Sequence, residues 1–328
     1  MIKRFLFIEN KIKYNYKKQL SNKLLFLFYK MIEQILNIEN KNIALYIMRD
    51  DLLHPLISGN KYRKLKYNLI EAKKINAKSI ITFGGAYSNH ILAVAAAGNE
   101  YGFNTIGIIR GEELEDKAGE NPTLEFAKKL GMKFIFITRE EYRNKNNKGF
   151  LKNLISMEDN YYVIPEGGTN KLAIKGCEEI LTKDLHHFTH VCCAVGTGGT
   201  ITGIINSSHD SQKILGFSSL KGDFLSEQIS NFVSKNNWKV ITDYHFGGYG
   251  KVNDELITFM NSFYEETHIP LDPVYTGKMV YGVTDLLKKD YFPENAKVLI
   301  VHTGGLQGIK GMNDFLRKKN KEIINYDV

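Results

Sequence analysis

From about residue 78 the chain alternates short, β-branched apolar runs with longer stretches whose apolar positions recur at helical spacing. Eight runs read as strands: KSIITF (78–83), NTIGIIR (104–110), KFIFIT (133–138), YYVIP (161–165), THVCCAV (189–195), QKILGFS (212–218), WKVITDY (238–244) and KVLIVHT (297–303). They are apolar almost without interruption, which fits parallel strands covered on both faces rather than strands with one wet side. Between them NHILAVAAAGNEYG, NPTLEFAKKLG, KLAIKGCEEILTKDL and NDELITFMNSFYEET predict helices. The second of these opens with Asn121 before Pro122 and stops at Gly131, a cap-to-glycine pattern. Strand and helix in alternation predict an α/β fold of open, twisted parallel sheets with helices on both faces. Glycine turns at 84–85, 167–168, 196–199 and 304–305 follow strand runs. Ligands sit at the carboxyl ends of strands in such sheets, so these turns are expected to border one crevice.

The chain has 328 residues, enough for one large or two medium domains. With 43% hydrophobic and 24% charged residues it excludes a collagen-like, long disordered or disulfide mini-scaffold protein. Cys177, Cys192 and Cys193 make an odd count without a CxxC pair, which suits a reduced, cytoplasmic chain. Residues 20–32, LSNKLLFLFYKMI, follow basic residues but are short, are broken by Lys30 and lack a small-residue cleavage site. They read as an amphipathic or buried segment and not as a leader. No window approaches the ~18 uninterrupted apolar residues of a membrane span, so no membrane partner is expected.

Lys and Arg number 44 against 36 Asp and Glu, a formal charge of +8. The surplus is scattered, and only Lys11 to Lys18 and Arg317 to Lys321 are locally basic, as solvated surface is. No nucleic-acid partner is therefore expected, and a phosphorylated cofactor or anionic substrate would account for part of the excess.

Three segments could carry chemistry. In RDDLLHPLISGNKYRKLKYNL (49–69) Lys61 follows Gly59-Asn60 at a helix start, where a lysine amine can form a Schiff base with a cofactor aldehyde. Lys64 and Lys66 continue that helix and read as solvated. In FGGAYSNHILAVAAAG (83–98) Ser88, Asn89 and His90 follow a strand and a Gly-Gly turn. Amides there could hold a carboxylate, or Ser88 or Asn89 could simply cap the helix, and both readings can hold. In CAVGTGGTITG (193–203) a strand runs through Gly196, Thr197, Gly198, Gly199 and Thr200 into a helix. That segment is either a phosphate cradle or a tight glycine turn. It is not G-x-G-x-x-G, and no GK[ST] or G-x-S-x-G occurs, which weakens the dinucleotide, P-loop and serine-hydrolase alternatives. Tyr275 and Thr276 in DPVYTGKMVYG (272–282) stand at a helix start, and Thr303 in VLIVHTGGLQG (299–308) at a strand end. His186, His187 and His190 lack cysteine or carboxylate companions at ligand spacing, so no metal is expected.

In order and spacing these motifs resemble the fold type II, tryptophan synthase β-like pyridoxal 5′-phosphate (PLP) enzymes, in the group of D-cysteine desulfhydrase and 1-aminocyclopropane-1-carboxylate (ACC) deaminase. The resemblance runs from about Arg49 to Gly308 and leaves residues 1–40 without a match. It implies two domains, a small one over 62–165 inserted into a large one made of 1–61 and 166–328, with PLP between them. It makes Lys61 the lysine that bonds PLP as an internal aldimine. Asn89 would bond the 3′ oxygen, and Gly196, Thr197, Gly198, Gly199 and Thr200 would hold the phosphate. Thr303 would face the pyridine nitrogen. Ser88, with the amides of Asn89 and His90, would bind the substrate carboxylate, and Tyr275, Thr276 and Tyr249 would face the substrate.

ACC deaminases are expected to carry Glu where Thr276 stands and Leu where Thr303 stands, so this pair favours the desulfhydrase pattern. A hydroxyl leaves the pyridine nitrogen neutral, a weaker electron sink that suits β-elimination. The implied activity is conversion of D-cysteine to pyruvate, hydrogen sulfide and ammonia, with Lys61 or Tyr275 taking the α-proton. The alternatives are ACC deamination and a non-catalytic PLP-binding protein. A homodimer is implied too. Ser58, Tyr87 and Ile91-Leu92 depart from residues common in the group.

Overall fold

The computed structural model describes residues 31–155 and 160–326. All of the apolar segment 20–32 before Met31, and the basic run at 11–18, lie outside the described residues. The chain starts one sheet with β1 (Ile32–Ile38) and β2 (Ile43–Met48), then leaves it to build a second from β3 (Ser79–Gly84), β4 (Asn104–Arg110), β5 (Met132–Ile137) and β6 (Tyr161–Ile164). It returns to the first sheet with β7 (His190–Val195), β8 (Lys213–Ser218), β9 (Trp238–Ile241) and β10 (Lys297–Val301). The six-stranded order is β1-β2-β10-β7-β8-β9 and the four-stranded order is β5-β4-β3-β6. Every pairing is parallel except the edge pair β1–β2.

All eight sequence-predicted strands form, and the last two end early, at Ile241 and Val301. Burial on both faces explains why they were legible. Along β10, Val298 and Ile300 enter one apolar cluster while Leu299 and Val301 enter another. In β3, Ile80 serves one cluster, and Ile81 and Phe83 serve the opposite one. Strands β1 and β2 were not anticipated. The first is a part-exposed antiparallel edge that turns back through Asn42 at φ 50°, a left-handed position that Asn tolerates.

The helices are α1 (Asn60–Lys74), α2 (Asn89–Tyr101), α3 (Pro122–Lys129), α4 (Lys148–Leu154), α5 (Lys171–Cys177), α6 (Gly199–Ser207), α7 (Phe224–Ser230), α8 (Asp254–Thr267), α9 (Thr276–Lys288) and α10 (Gly308–Lys318). Asn121 caps α3 by accepting from the amides of Thr123 and Leu124, with Pro122 in the first turn, as its sequence predicts. The stretch 171–185 does not make one helix. It stops at Cys177 and continues as two short 3₁₀ turns, Glu178–Ile180 and Lys183–Leu185. Near its end a Cβ on Gly176 would stand 2.0 Å from the Arg63 carbonyl oxygen, so α5 meets α1 backbone to backbone.

Two buried ion pairs lock the segment between β2 and α1. Arg63 donates from Nε and Nη2 to Asp50 at 2.7 and 2.8 Å, and Arg49 donates to Asp51 from Nε and Nη2. Buried pairs of this kind repay their desolvation only when geometry is good, and both here are two-pronged. Asp51 also lies 3.2 Å from Nδ1 of the fully buried His302 at the end of β10. This contact ties the approach to α1 to the strand that leads into Thr303.

Candidate active site

The carboxyl ends of the strands bring the glycine turns together. A cavity lies there, lined by Asn60, Lys61, Lys64, Asn89, the 194–198 turn with Thr200, Tyr275, and residues 303–305. Its walls come from segments more than two hundred residues apart, joined by the parallel pairing of β10 with β2 and with β7.

The Lys61 corner is built by two interlocked turns. Gly59 adopts φ 60°, ψ −135°, and a Cβ there would stand 2.0 Å from the Thr303 carbonyl oxygen. Only glycine fits both the conformation and the space. The Asn60 amide donates to that same carbonyl at 3.2 Å. The Asn60 side chain then bridges two site groups, accepting from Lys61 Nζ at 3.1 Å and donating to Thr200 Oγ1 at 2.8 Å. Burial, and next the nearby Lys64 cation, lower the Lys61 amine to about 7. An amine so placed is a neutral nucleophile for a good part of its time near neutral pH.

Lys64 corrects the sequence reading. It is not solvated but 2% exposed, with its ammonium donating to the Gly167 carbonyl at 3.0 Å and to Thr169 Oγ1 at 3.2 Å. A Cβ on Gly199 would come 3.3 Å from its Nζ, so the charge sits beneath the glycine turn. The signal was its i+3 spacing from Lys61, which puts both on one helix face. Lys66 does reach solvent and pairs with Glu179 at 2.7 Å.

Gly196, Thr197, Gly198 and Thr200 line the cavity, and Gly199 begins α6. Gly198 holds φ 79°, no side chain caps the helix, and the Thr202 amide is the first in it to reach a carbonyl, that of Gly198, among the described residues. The preceding amides and the Lys64 ammonium thus form a cationic cradle for an anion.

Ser88 and His90 do not line this cavity. Ser88 Oγ accepts from the amides of His90 and Ile91 at 3.2 and 3.4 Å, so it caps α2. The His90 ring turns into the core, where Nε2 meets Thr82 Oγ1 at 2.8 Å. That hydroxyl donates to the Ile164 carbonyl, so the imidazole nitrogen is the donor. Burial, with Lys61 and Lys64 nearby, holds His90 well below its ordinary pKa and keeps it neutral. Asn89, one residue earlier, does face the cavity, and its amide makes no hydrogen bond among the described residues.

Tyr275 closes another side. Burial, and then Tyr249, push its phenol well above the ordinary value, so it stays protonated at neutral pH. Tyr249 does not line the cavity. It stands on the solvent side, 48% exposed, with its ring edge-on to Tyr275 at 6.1 Å. Two residues missed in the sequence set this wall. Asp272, fully enclosed, accepts from the amides of Val274, Tyr275 and Thr276 and from Thr276 Oγ1. Lys278 donates to the carbonyls of His245 and Gly248 at 2.8 Å and so holds the loop that carries Tyr249. Asp272 bonds amides two to four residues ahead, a contact local in the sequence, whereas the carbonyls that engage Lys278 lie some thirty residues away.

Thr276 is buried with its hydroxyl committed to the Asp272 carboxylate and is absent from the cavity wall. Thr303 does line it, and its hydroxyl makes no hydrogen bond among the described residues. No Asp or Glu is among the lining residues. The donor set is therefore a low-pKa amine, a cradle of amides beside the Lys64 side chain, a free amide and a free hydroxyl, which fit an aromatic aldehyde bearing a phosphate. Elsewhere, no cluster of three or more His, Cys, Asp or Glu is placed to hold a metal ion among the described residues. No helix among them is long and apolar enough to cross a membrane.

Comparison with known proteins agrees with this donor set. The model of the pyridoxal-phosphate dependent enzyme family matches residues 32–304. A relative from Pyrococcus horikoshii, whose name gives ACC deaminase as a provisional activity, is 31% identical over 289 residues, 80% of this chain and 85% of its own. The bifunctional D-cysteine desulfhydrase/ACC deaminase of Arabidopsis thaliana, a mitochondrial protein, is 32% identical over 294 residues, 81% of this chain and 73% of its own. The crystal structure of an ACC deaminase homologue superposes with a TM-score of 0.73 at 28% identity, over 88% of this chain and 92% of that one. The chain belongs to the pyridoxal-phosphate dependent enzymes of fold type II, in the group that includes the ACC deaminases and D-cysteine desulfhydrases.

Proposed function

We propose that this enzyme catalyses β-elimination from D-cysteine, releasing pyruvate, hydrogen sulfide and ammonia. PLP supplies an electron-accepting ring conjugated to the substrate amine, and the protein supplies position, charge and proton movement. Lys61 would hold the aldehyde carbon, Asn89 the 3′ oxygen, and Thr303 Oγ1 the pyridine nitrogen. The 196–200 cradle and the Lys64 ammonium would hold the phosphate, the strongest electrostatic match in the site.

The free Lys61 amine would be the base for the Cα proton, since a value of about 7 suits an acceptor at neutral pH. Tyr275 stays protonated, so its phenol can donate to the departing sulfur rather than take the proton. Ser88 and the α2 amides lie beside Asn89 and would meet the substrate carboxylate, with Tyr249 as the outer wall. The reading also places PLP between a small domain at 62–165 and a large one formed by the residues on either side, in a homodimer.

The observation that carries elimination over cyclopropane opening is the cavity wall itself: Thr303 faces it and no carboxylate does. With a hydroxyl in place of a carboxylate, Thr303 would leave the ring nitrogen neutral, a setting that suits expulsion of a good leaving group. ACC deamination is the second reading, favoured by the relatives that carry that name. The same purified enzyme, given D-cysteine and ACC in parallel, decides. Pyruvate and sulfide from D-cysteine, with little 2-oxobutanoate from ACC, is the expected result, and the reverse overturns it.

A further inference from the structure

At the carboxyl edge of the four-stranded sheet one cation is unaccounted for. Arg110 ends β4, and the register pairs Ile109 with Gly84, so Arg110 emerges beside Gly85, in the loop that leads to Ser88 and Asn89. Its guanidinium lies over the Tyr142 ring at 5.4 Å, and Nη2 is 3.6 Å from where a Cβ on Gly85 would stand. Burial raises the Tyr249 phenol, and the Arg110 charge opposes that rise. Arg110 thus stands at the carboxyl end of β4, braced on Tyr142 and beside the loop that leads to Asn89, which lines the crevice. It is exposed, and among the described residues it makes no hydrogen bond or ion pair. The nearby Glu166 is paired with Lys145 at 3.4 Å, also over the Tyr142 ring.

The cations deeper in the site have work to do: Lys64 is bonded beneath the cradle, and Lys61 sits at the reacting end. Arg110 has none, and a planar guanidinium braced on an aromatic face suits a carboxylate, sulfonate or phosphate. We propose that Arg110 forms an anion subsite at the mouth of the crevice, one that takes a negatively charged β-substituent of the amino-acid substrate. The subsite rests on the reading of this site as a PLP enzyme for small amino acids. It would extend the substrate range from cysteine to amino acids that carry an acidic group one or two atoms beyond Cβ.

The test uses PLP-loaded wild type, R110Q and R110K, with D- and L-cysteate, which carry a sulfonate on Cβ, and D- and L-serine as neutral controls of similar length. Dissociation constants are measured by calorimetry, and the cofactor absorbance is recorded in the same samples. The expected result is that one cysteate enantiomer binds wild type at least tenfold tighter than the matching serine. That preference falls at least tenfold in R110Q with serine binding unchanged, and it is partly kept in R110K, whose ammonium keeps the charge but not the fork. Equal binding of cysteate and serine by wild type, or cysteate binding unaltered in R110Q, overturns the subsite while the lysine-bound PLP band still supports the underlying reading. Absence of that band in wild type overturns the reading and the subsite together.

Discussion

Two lysines one helical turn apart divide the labour of the site by their surroundings alone. Among the described residues the Lys61 amine makes a single hydrogen bond, to its neighbour Asn60, and burial brings it to about 7, whereas Lys64 is anchored to a carbonyl and a hydroxyl. The sign of the pH dependence follows. Only the neutral amine attacks an aldehyde, so the rate at which PLP-free protein captures PLP should rise with pH through about 7 and level off above it. Stopped-flow absorbance checks this, and a rate flat from pH 6 to 9 would sink the assignment. Lys64→Met removes the cation that depresses Lys61 and, on the proposed reading, the phosphate counter-charge. It should weaken PLP binding by roughly 10–100-fold, the worth of about 1.5–3 kcal/mol for charge-assisted hydrogen bonds. It should also move the capture midpoint upward. Unchanged affinity by fluorescence titration would show that Lys64 only packs.

Among the elements, the interlocked turns at Ser58–Asn60 and Thr303–Gly305 carry the strictest geometry. Gly59 is at positive φ against the Thr303 carbonyl, and a Cβ on Gly304 would come 2.5 Å from Ser58 Oγ. Gly59→Ala should therefore cost at least about 3 kcal/mol, from backbone strain and overpacking together. It should also release Thr303 from the cavity wall. Chemical denaturation gives the first number, and a loss smaller than about 1 kcal/mol would contradict the contact. The helix starts differ in kind. The α2 and α3 caps are side-chain oxygens, while α6 opens on bare amides above Lys64. A stretch of sequence can announce the first kind, and for the second it shows only a cluster of glycines.

Across the whole molecule, the buried pair Arg63–Asp50 ties α1 to the segment after β2, and Arg49 in that segment, paired with Asp51, also reaches Glu33 of β1. Arg63→Met leaves Asp50 buried and alone, and should cost roughly 3–5 kcal/mol. The double change Arg63→Met with Asp50→Leu should recover most of that loss, because the penalty lies in the orphaned charge and not in a missing contact. A double variant no more stable than the single one by thermal unfolding would refute this account.

The strand-and-helix alternation, the parallel sheets and the glycine turns were all legible in the chain, because burial on both faces writes itself as continuous apolar runs and turn chemistry is local. Lys61, Asn89, the 196–200 turn, Tyr275 and Thr303 were legible as motifs, and they meet at one cavity. What remained hidden depends on distant partners. Lys64 looks like any surface lysine until the 167–169 turn covers it, and Thr276 looks like a substrate contact until Asp272 takes its hydroxyl. Arg110 is an ordinary strand end until the Tyr142 ring and the Gly85 turn come up beside it. Spacing along one segment specifies local conformation and which face a side chain shares, whereas its neighbours, and so its charge and chemistry, are set only when strands far apart in sequence pair.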